Sequence, residues 1–279
     1  MIPQLANECL ALALDERGNL LSLVNRRTGV DYVTQPGMDL WQIIYPGAHD
    51  PETPVRASQQ APAEISASPK SVTVRHRALR DFLGHPVEAA LTFTIEIEAD
   101  ELTFRATIEN RGRVPLHEFW FPTIGGLGNL GDDPARTFLL YPESAGRRIQ
   151  DPLRNLADRE AQPVRGVRFN FLRHFYPGAA SMQWMGLYGE RGSLYVASHD
   201  RTLQTTALNA VLNVGPTAKD DSLSLGFIKY PFVQPGQTWR SEPFVVAVHD
   251  RPWHHDARRY RAFADTWQDH GRRATSRSA

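Results

Sequence analysis

A single cysteine, Cys9, stands in 279 residues. No internal disulfide can form, and no cysteine-based metal cluster exists. Its place in a strand-like run reads as a buried thiol. Neither charge sign is in excess, with 31 basic and 31 acidic residues. No global field recruits nucleic acid or an anionic membrane surface. No window reaches the length of a membrane-spanning helix. The opening MIPQLANECLALALDERG has neither a basic leader nor a continuous apolar core, so it does not read as a signal peptide. The expectation is a cytoplasmic protein. Internal repeats and low-complexity tracts are missing. So are Gly-x-Ser-x-Gly, His-Glu-x-x-His, a phosphate loop and a dinucleotide fingerprint. These absences give no ground to expect a metal or a cofactor. Helical periodicity is scarce too. Only 252–268 shows it, with Ala257, Tyr260, Ala264 and Trp267 on one stripe.

What is abundant is a rhythm of short strands and turns roughly every ten residues. Leu91, Phe93, Ile95 and Ile97 alternate with Thr92, Thr94, Glu96 and Glu98, and the pattern resumes at Leu102, Phe104, Ala106 and Ile108. That is one apolar and one wet face. Segment 182–200 differs. Met182, Trp184, Gly186 and Tyr188 alternate with Gln183, Met185 and Leu187, so both faces carry large side chains. A Gly189–Gly192 turn and a return strand Leu194–Ser198 complete a hairpin placed in the middle of a sandwich. Segment 46–69, with five prolines, reads as a surface excursion. Residues 124–133, with four glycines, read as a loop, and 142–166 as a second long loop before a strand from Val167 to Arg173. The fold class expected is all-β: a two-sheet antiparallel supersandwich over 1–250, one C-terminal linker or docking helix over 251–269, and a disordered basic tail over 270–279.

Six tryptophans accompany many carboxylates. Sugars present apolar C–H faces rimmed by hydroxyls, which flat aromatic rings and hydrogen-bonding side chains complement. In 117–122, alternation puts His117, Phe119 and Phe121 on one face and Glu118 with Trp120 on the other, a platform beside a carboxylate. His199–Asp200, at the end of the return strand, is either a pair at a cleft mouth or a packed turn. Trp184 and Tyr176 complete the ligand-binding candidates, each with a packing role as the alternative. Arg147 and Arg148 read as a solvated loop or as an anion site. His254, His255 and Asp256 fall about 100° apart on a helix and cannot easily share an ion, so no metal site is expected.

Tyr-Pro-Gly at 176–178, Ser-Met-Gln-Trp-Met at 181–185, the Leu-Tyr turn and His199–Asp200 together resemble the galactose-mutarotase-like β-supersandwich found N-terminal to the catalytic barrel of several glycoside hydrolases. Residues 18–29 resemble its opening hairpin, and 233–239 with 253–264 its last strands and the helix leading to the barrel. The resemblance implies a carbohydrate-related accessory or binding domain whose partners are a mono- or oligosaccharide and a (β/α)8 catalytic domain. The two carboxylates of glycoside cleavage would lie in that barrel, not in these residues. Two alternatives stay open. One is a freestanding mutarotase-like epimerase with an acid–base pair drawn from Glu118 and His199 or His174. The other is a carbohydrate-binding module without turnover. The helix stripe calls for an apolar partner, either the sandwich, a following domain or a second copy.

Overall fold

The computed structural model describes residues 3–47, 50–156, 170–215 and 220–268. Two antiparallel sheets face each other. The larger has ten strands. Nine run in the spatial order Arg147–Gln150, Phe138–Tyr141, Trp184–Tyr188, Ser193–Ser198, Phe244–His249, Glu101–Asn110, Ala89–Glu98, Ser71–His76 and Glu64–Ala67. The short strand Thr238–Arg240 pairs beside Phe244–His249 on Glu101–Asn110. The smaller sheet has six strands, in the order Phe171–Tyr176, Thr206–Asn213, Ser222–Lys229, Glu118–Leu127, Gln42–Tyr45 and Thr53–Arg56. Four strands between Gln4 and Asp31 form a further sheet that contributes Leu5, Leu12 and Leu23 to the same core.

The alternation at 91–108 is realised in register. Phe93 lies opposite Ala106 and Ile95 opposite Phe104, all four buried, so one face of this pair lines the core. Phe121, from the other sheet, closes the space. Its ring packs on Phe119 at 5.2 Å, Phe93 at 5.5 Å, Phe244 at 5.8 Å and Phe104 at 6.1 Å. Each such side chain contributes roughly 1.5–3 kcal/mol by burial. The hairpin 184–198 is buried on both faces for a different reason. Met185 and Leu187 join the inter-sheet core, while Trp184, Tyr188 and Tyr195 point the other way. There the helix Trp253–Ala264 lays Tyr260, Phe263 and Ala264 across them.

The helix stripe is therefore spent on the chain's own sheet. Ala257 and Trp267 pack against the same cluster, which leaves little of the stripe for a second copy. A buried polar staple fixes it. Asp256 accepts from the Tyr188 hydroxyl and from His249 Nε2, both at 2.8 Å. The Arg251 N–H donates to His249 Nδ1, which sets the proton on Nε2.

Three segments differ from their sequence-based expectations. Residues 46–69 hold two edge strands, Thr53–Arg56, which carries Pro54, and Glu64–Ala67. The glycine-rich stretch is not a loop from its start: the strand from Glu118 continues to Leu127. Gly126 has φ +71°, and a β-carbon there would lie 1.9 Å from the Gln35 carbonyl oxygen. The glycine permits this approach, and the N–H groups of Thr34 and Gln35 both bond Gly126 O. The expected second loop holds the strand Arg147–Gln150 and the short helix Pro152–Asn155. Residues 157–166 of that loop, the start of the strand expected from Val167, and the tail 270–279 lie outside the described residues. Cys9, in the bend just before the strand Leu10–Leu14, is half-buried rather than buried and accepts from Arg27 at 3.4 Å. Among the described residues, no helix is long and apolar enough to cross a membrane.

Candidate functional site

The helix covers one outer sheet face, over Trp184, Tyr188 and Tyr195. The outer face of the six-stranded sheet carries a different set of side chains. Alternation along Glu118–Leu127 sends Phe119 and Phe121 inward and leaves Glu118 and Trp120 outward and half-buried. The indole Nε1–H donates to Glu118 Oε2 at 2.8 Å, which fixes the ring's orientation. Register places Gln42 opposite Trp120 on one side. Arg56, opposite Gln42, donates its Nε–H to Gln42 Oε1 at 3.2 Å.

On the other side Arg173 lies opposite Asn209, and Asn209 opposite Gly226. The guanidinium donates to Asn209 Oδ1 at 3.2 Å and sits over the Trp120 ring, 4.6 Å from its centroid. Tyr230 stands nearby, its ring 5.8 Å from that of Phe175. Burial pushes its hydroxyl up to about 12; the Glu118 charge adds to this and Arg173 opposes it. Phe171, Phe175 and Phe232 are exposed. The result is an indole and a tyrosine set among one carboxylate, two guanidiniums and two amides. Such a surface can stack an apolar ring face and hydrogen-bond a rim of hydroxyls.

Sequence reasoning picked out Glu118 and Trp120 and missed Arg173, Asn209, Gln42, Arg56 and Tyr230. The signal for Arg173 was present in the period-2 set Phe171, Arg173, Phe175. The residues around Trp120 come from five other strands or their ends, and no local pattern joins them.

The remaining candidates are placed elsewhere. His199 lies beyond Ser193–Ser198 in the other sheet, under the helix. Its ring stacks on Phe263 at 4.2 Å and 4°, and Nε2 meets the Tyr195 hydroxyl at 3.1 Å. Burial first, then the Arg259 and Arg201 charges, lower its pKa to about 4. Glu118 and His199 are thus on different sheets and do not meet. His174 does not meet Glu118 either. It points to the opposite face from Arg173, towards the Tyr141 hydroxyl at 3.3 Å and Glu143 at 3.4 Å.

Asp200 is 1% exposed and ion-paired to Lys229, itself buried. Burial alone would raise its carboxyl. The Lys229 ammonium and the Thr202 hydrogen bonds outweigh that and hold it below the ordinary value. Trp184 lies beneath the helix with its N–H on Met182 Sδ at 3.3 Å. Tyr176 is half-buried against the inter-sheet core, its hydroxyl toward Tyr260 and Gln268. Asp256 points inward, His254 stacks on Trp253 at 3.7 Å, and His255 meets Arg251. Among the described residues no three His, Cys, Asp or Glu side chains gather as a metal site.

No family model and no curated protein matches the sequence. Solved structures do match. A galactose mutarotase related enzyme from Lactobacillus acidophilus aligns over 89% of this chain and 97% of its own, with TM-score 0.57 and 10% identity. A galactose mutarotase-like protein from Lactobacillus casei aligns over 89% and 100%, with TM-score 0.55 and 13% identity. The fold is the galactose-mutarotase-like supersandwich. The same supersandwich occurs in glycoside hydrolases. An alpha-N-acetylgalactosaminidase from Bifidobacterium bifidum aligns over 94% of this chain with TM-score 0.60 and 13% identity, and the chain spans 38% of that enzyme. At these identities the likeness is one of fold, and fold does not fix function.

Proposed function

We propose that this chain is a carbohydrate-binding accessory domain of a glycoside-hydrolase-like protein. In this reading a sugar lies on the outer face of the six-stranded sheet, over Trp120. The observation that carries it is the half-buried indole oriented by Glu118 and flanked by Arg173 and Gln42. The sugar's C–H face takes the indole, with Arg173 swinging aside or sharing the ring edge. Glu118 accepts from hydroxyls, Arg56 and Arg173 donate, and the buried Asn209 holds Arg173 in place. Bond cleavage belongs to a separate catalytic domain. The 38% coverage of the Bifidobacterium bifidum enzyme supports a role as one part of a larger hydrolase.

The second reading is a freestanding epimerase of sugar anomers. The full-length coverage of the two Lactobacillus proteins favours it. Against it stands the separation of Glu118 from both His199 and His174, since acid–base catalysis requires both groups within reach of one sugar. One experiment separates the two. Proton NMR of freshly dissolved aldoses and aryl glycosides should show line broadening without faster anomeric equilibration. Trp120→Ala should weaken that binding by roughly tenfold to a hundredfold. Accelerated equilibration lost in Glu118→Ala would instead make the chain an epimerase. Binding indifferent to Trp120→Ala would remove the site.

A further inference from the structure

A cavity of about 240 Å³ opens on the larger sheet, between the turn at 142–146 and the start of the helix Trp253–Ala264. It is remote in the fold from Trp120, which lies on the other sheet. Leu140, Met182, Trp184 and Trp253 line it, and Arg147 and Arg148 complete it. Trp184 is 4% exposed with its N–H committed to Met182, so the surface it offers is apolar. Trp253 is 37% exposed, with His254 stacked on its ring and the remainder left at the surface although its helix packs well. Arg148 lies 4.0 Å over the Phe138 ring and donates to the neutral Gln150. Among the described residues it has no carboxylate partner. Arg147 has one, Glu143 at 3.3 Å. Arg147 is exposed, while Glu143 is half-buried and shared with His174, and partly exposed pairs of this kind contribute little. The cavity thus combines two indoles with two guanidiniums.

We infer that this cavity is a second binding site, for a ring-sized sugar acid. Its size argues for one ring, since sites for larger ligands run to roughly 300–1,000 Å³. The indoles suit the apolar face of that ring. A planar guanidinium already held against an aromatic suits a carboxylate, which it grips through two parallel hydrogen bonds. A neutral sugar would leave the paired donors of Arg148 without a charged acceptor. A small inorganic anion would leave the indoles unused.

The test is calorimetric titration of the whole chain with glucuronate, glucose and sulfate in separate runs. Glucuronate binding should exceed that of glucose and of sulfate by about tenfold or more. It should weaken as salt rises. Arg148→Gln and Trp253→Ala should each weaken glucuronate by roughly tenfold, with circular dichroism unchanged. Trp120→Ala should leave it unaltered. Equal affinity for glucose, persisting in Trp120→Ala, would show that charge is not read. Equal affinity for sulfate would show that the ring is not. Either result overturns the inference. So would no detectable glucuronate binding at millimolar concentration, or loss on Trp120→Ala but not on Arg148→Gln.

Discussion

His199 is kept neutral by its setting between Tyr195 and Phe263. Its folded pKa of about 4 lies below the ordinary 6.5, so the unfolded chain takes up the proton first as pH falls. The stability it contributes is complete above about pH 6.5 and is lost as pH falls toward 4. Its size is at most on the order of 3 kcal/mol. Urea midpoints measured across this range should fall toward acid, and His199→Gln should flatten the slope. An unchanged slope would mean that His76, also lowered by burial, carries the effect. His199 also shows why single residues were hard to read. A histidine before an aspartate at a strand end fits a rim site and a packed turn equally well. What decides is Phe263, 64 positions away in sequence. Glu118 and Trp120 were readable because two residues of alternation suffice to place them together.

The helix and the hairpin beneath it are one unit held by Asp256. Asp256→Ala leaves the Tyr188 hydroxyl and the His249 N–H buried without an acceptor. Each such loss costs about 1–3 kcal/mol, so the variant should lose roughly 3 kcal/mol in urea unfolding. A loss under about 1 kcal/mol would mean that water replaces the carboxylate. The hairpin was legible as an element buried on both faces because large side chains occupy both parities. The amphipathic stripe also told that the helix needs a partner. Neither pattern said that each is the other's partner, because pairing over about 70 residues leaves no periodic trace. The strand through Gly125 and Gly126 was illegible for another reason. Glycine marks both a loop and a close backbone approach, and only the carbonyl of Gln35 distinguishes them.

Across the whole molecule, Lys229 and Asp200 tie the six-stranded sheet to the end of a strand in the ten-stranded one. Lys229→Met strands a buried carboxylate and should cost about 3–5 kcal/mol. Combining it with Asp200→Asn should restore most of that. A double variant no more stable than the single one would show that packing, not charge, makes the difference. The two-sheet architecture was legible from strand rhythm, whereas the order of strands was not, because sheet neighbours come from distant sequence. The sheet edges carry a further consequence. The larger sheet ends in Glu64–Ala67 and in Arg147–Gln150, and the smaller in Thr53–Arg56 and Phe171–Tyr176. Each of these outer strands bears a charge or a proline: Glu64, Arg147 and Arg148, Pro54 and Arg56, Arg173. With formal charge balanced at zero, copies of this chain feel no mutual repulsion at a distance. Colloidal behaviour then rests on these few border residues. Neutralising several at once should leave the fold intact and make concentrated solutions turbid.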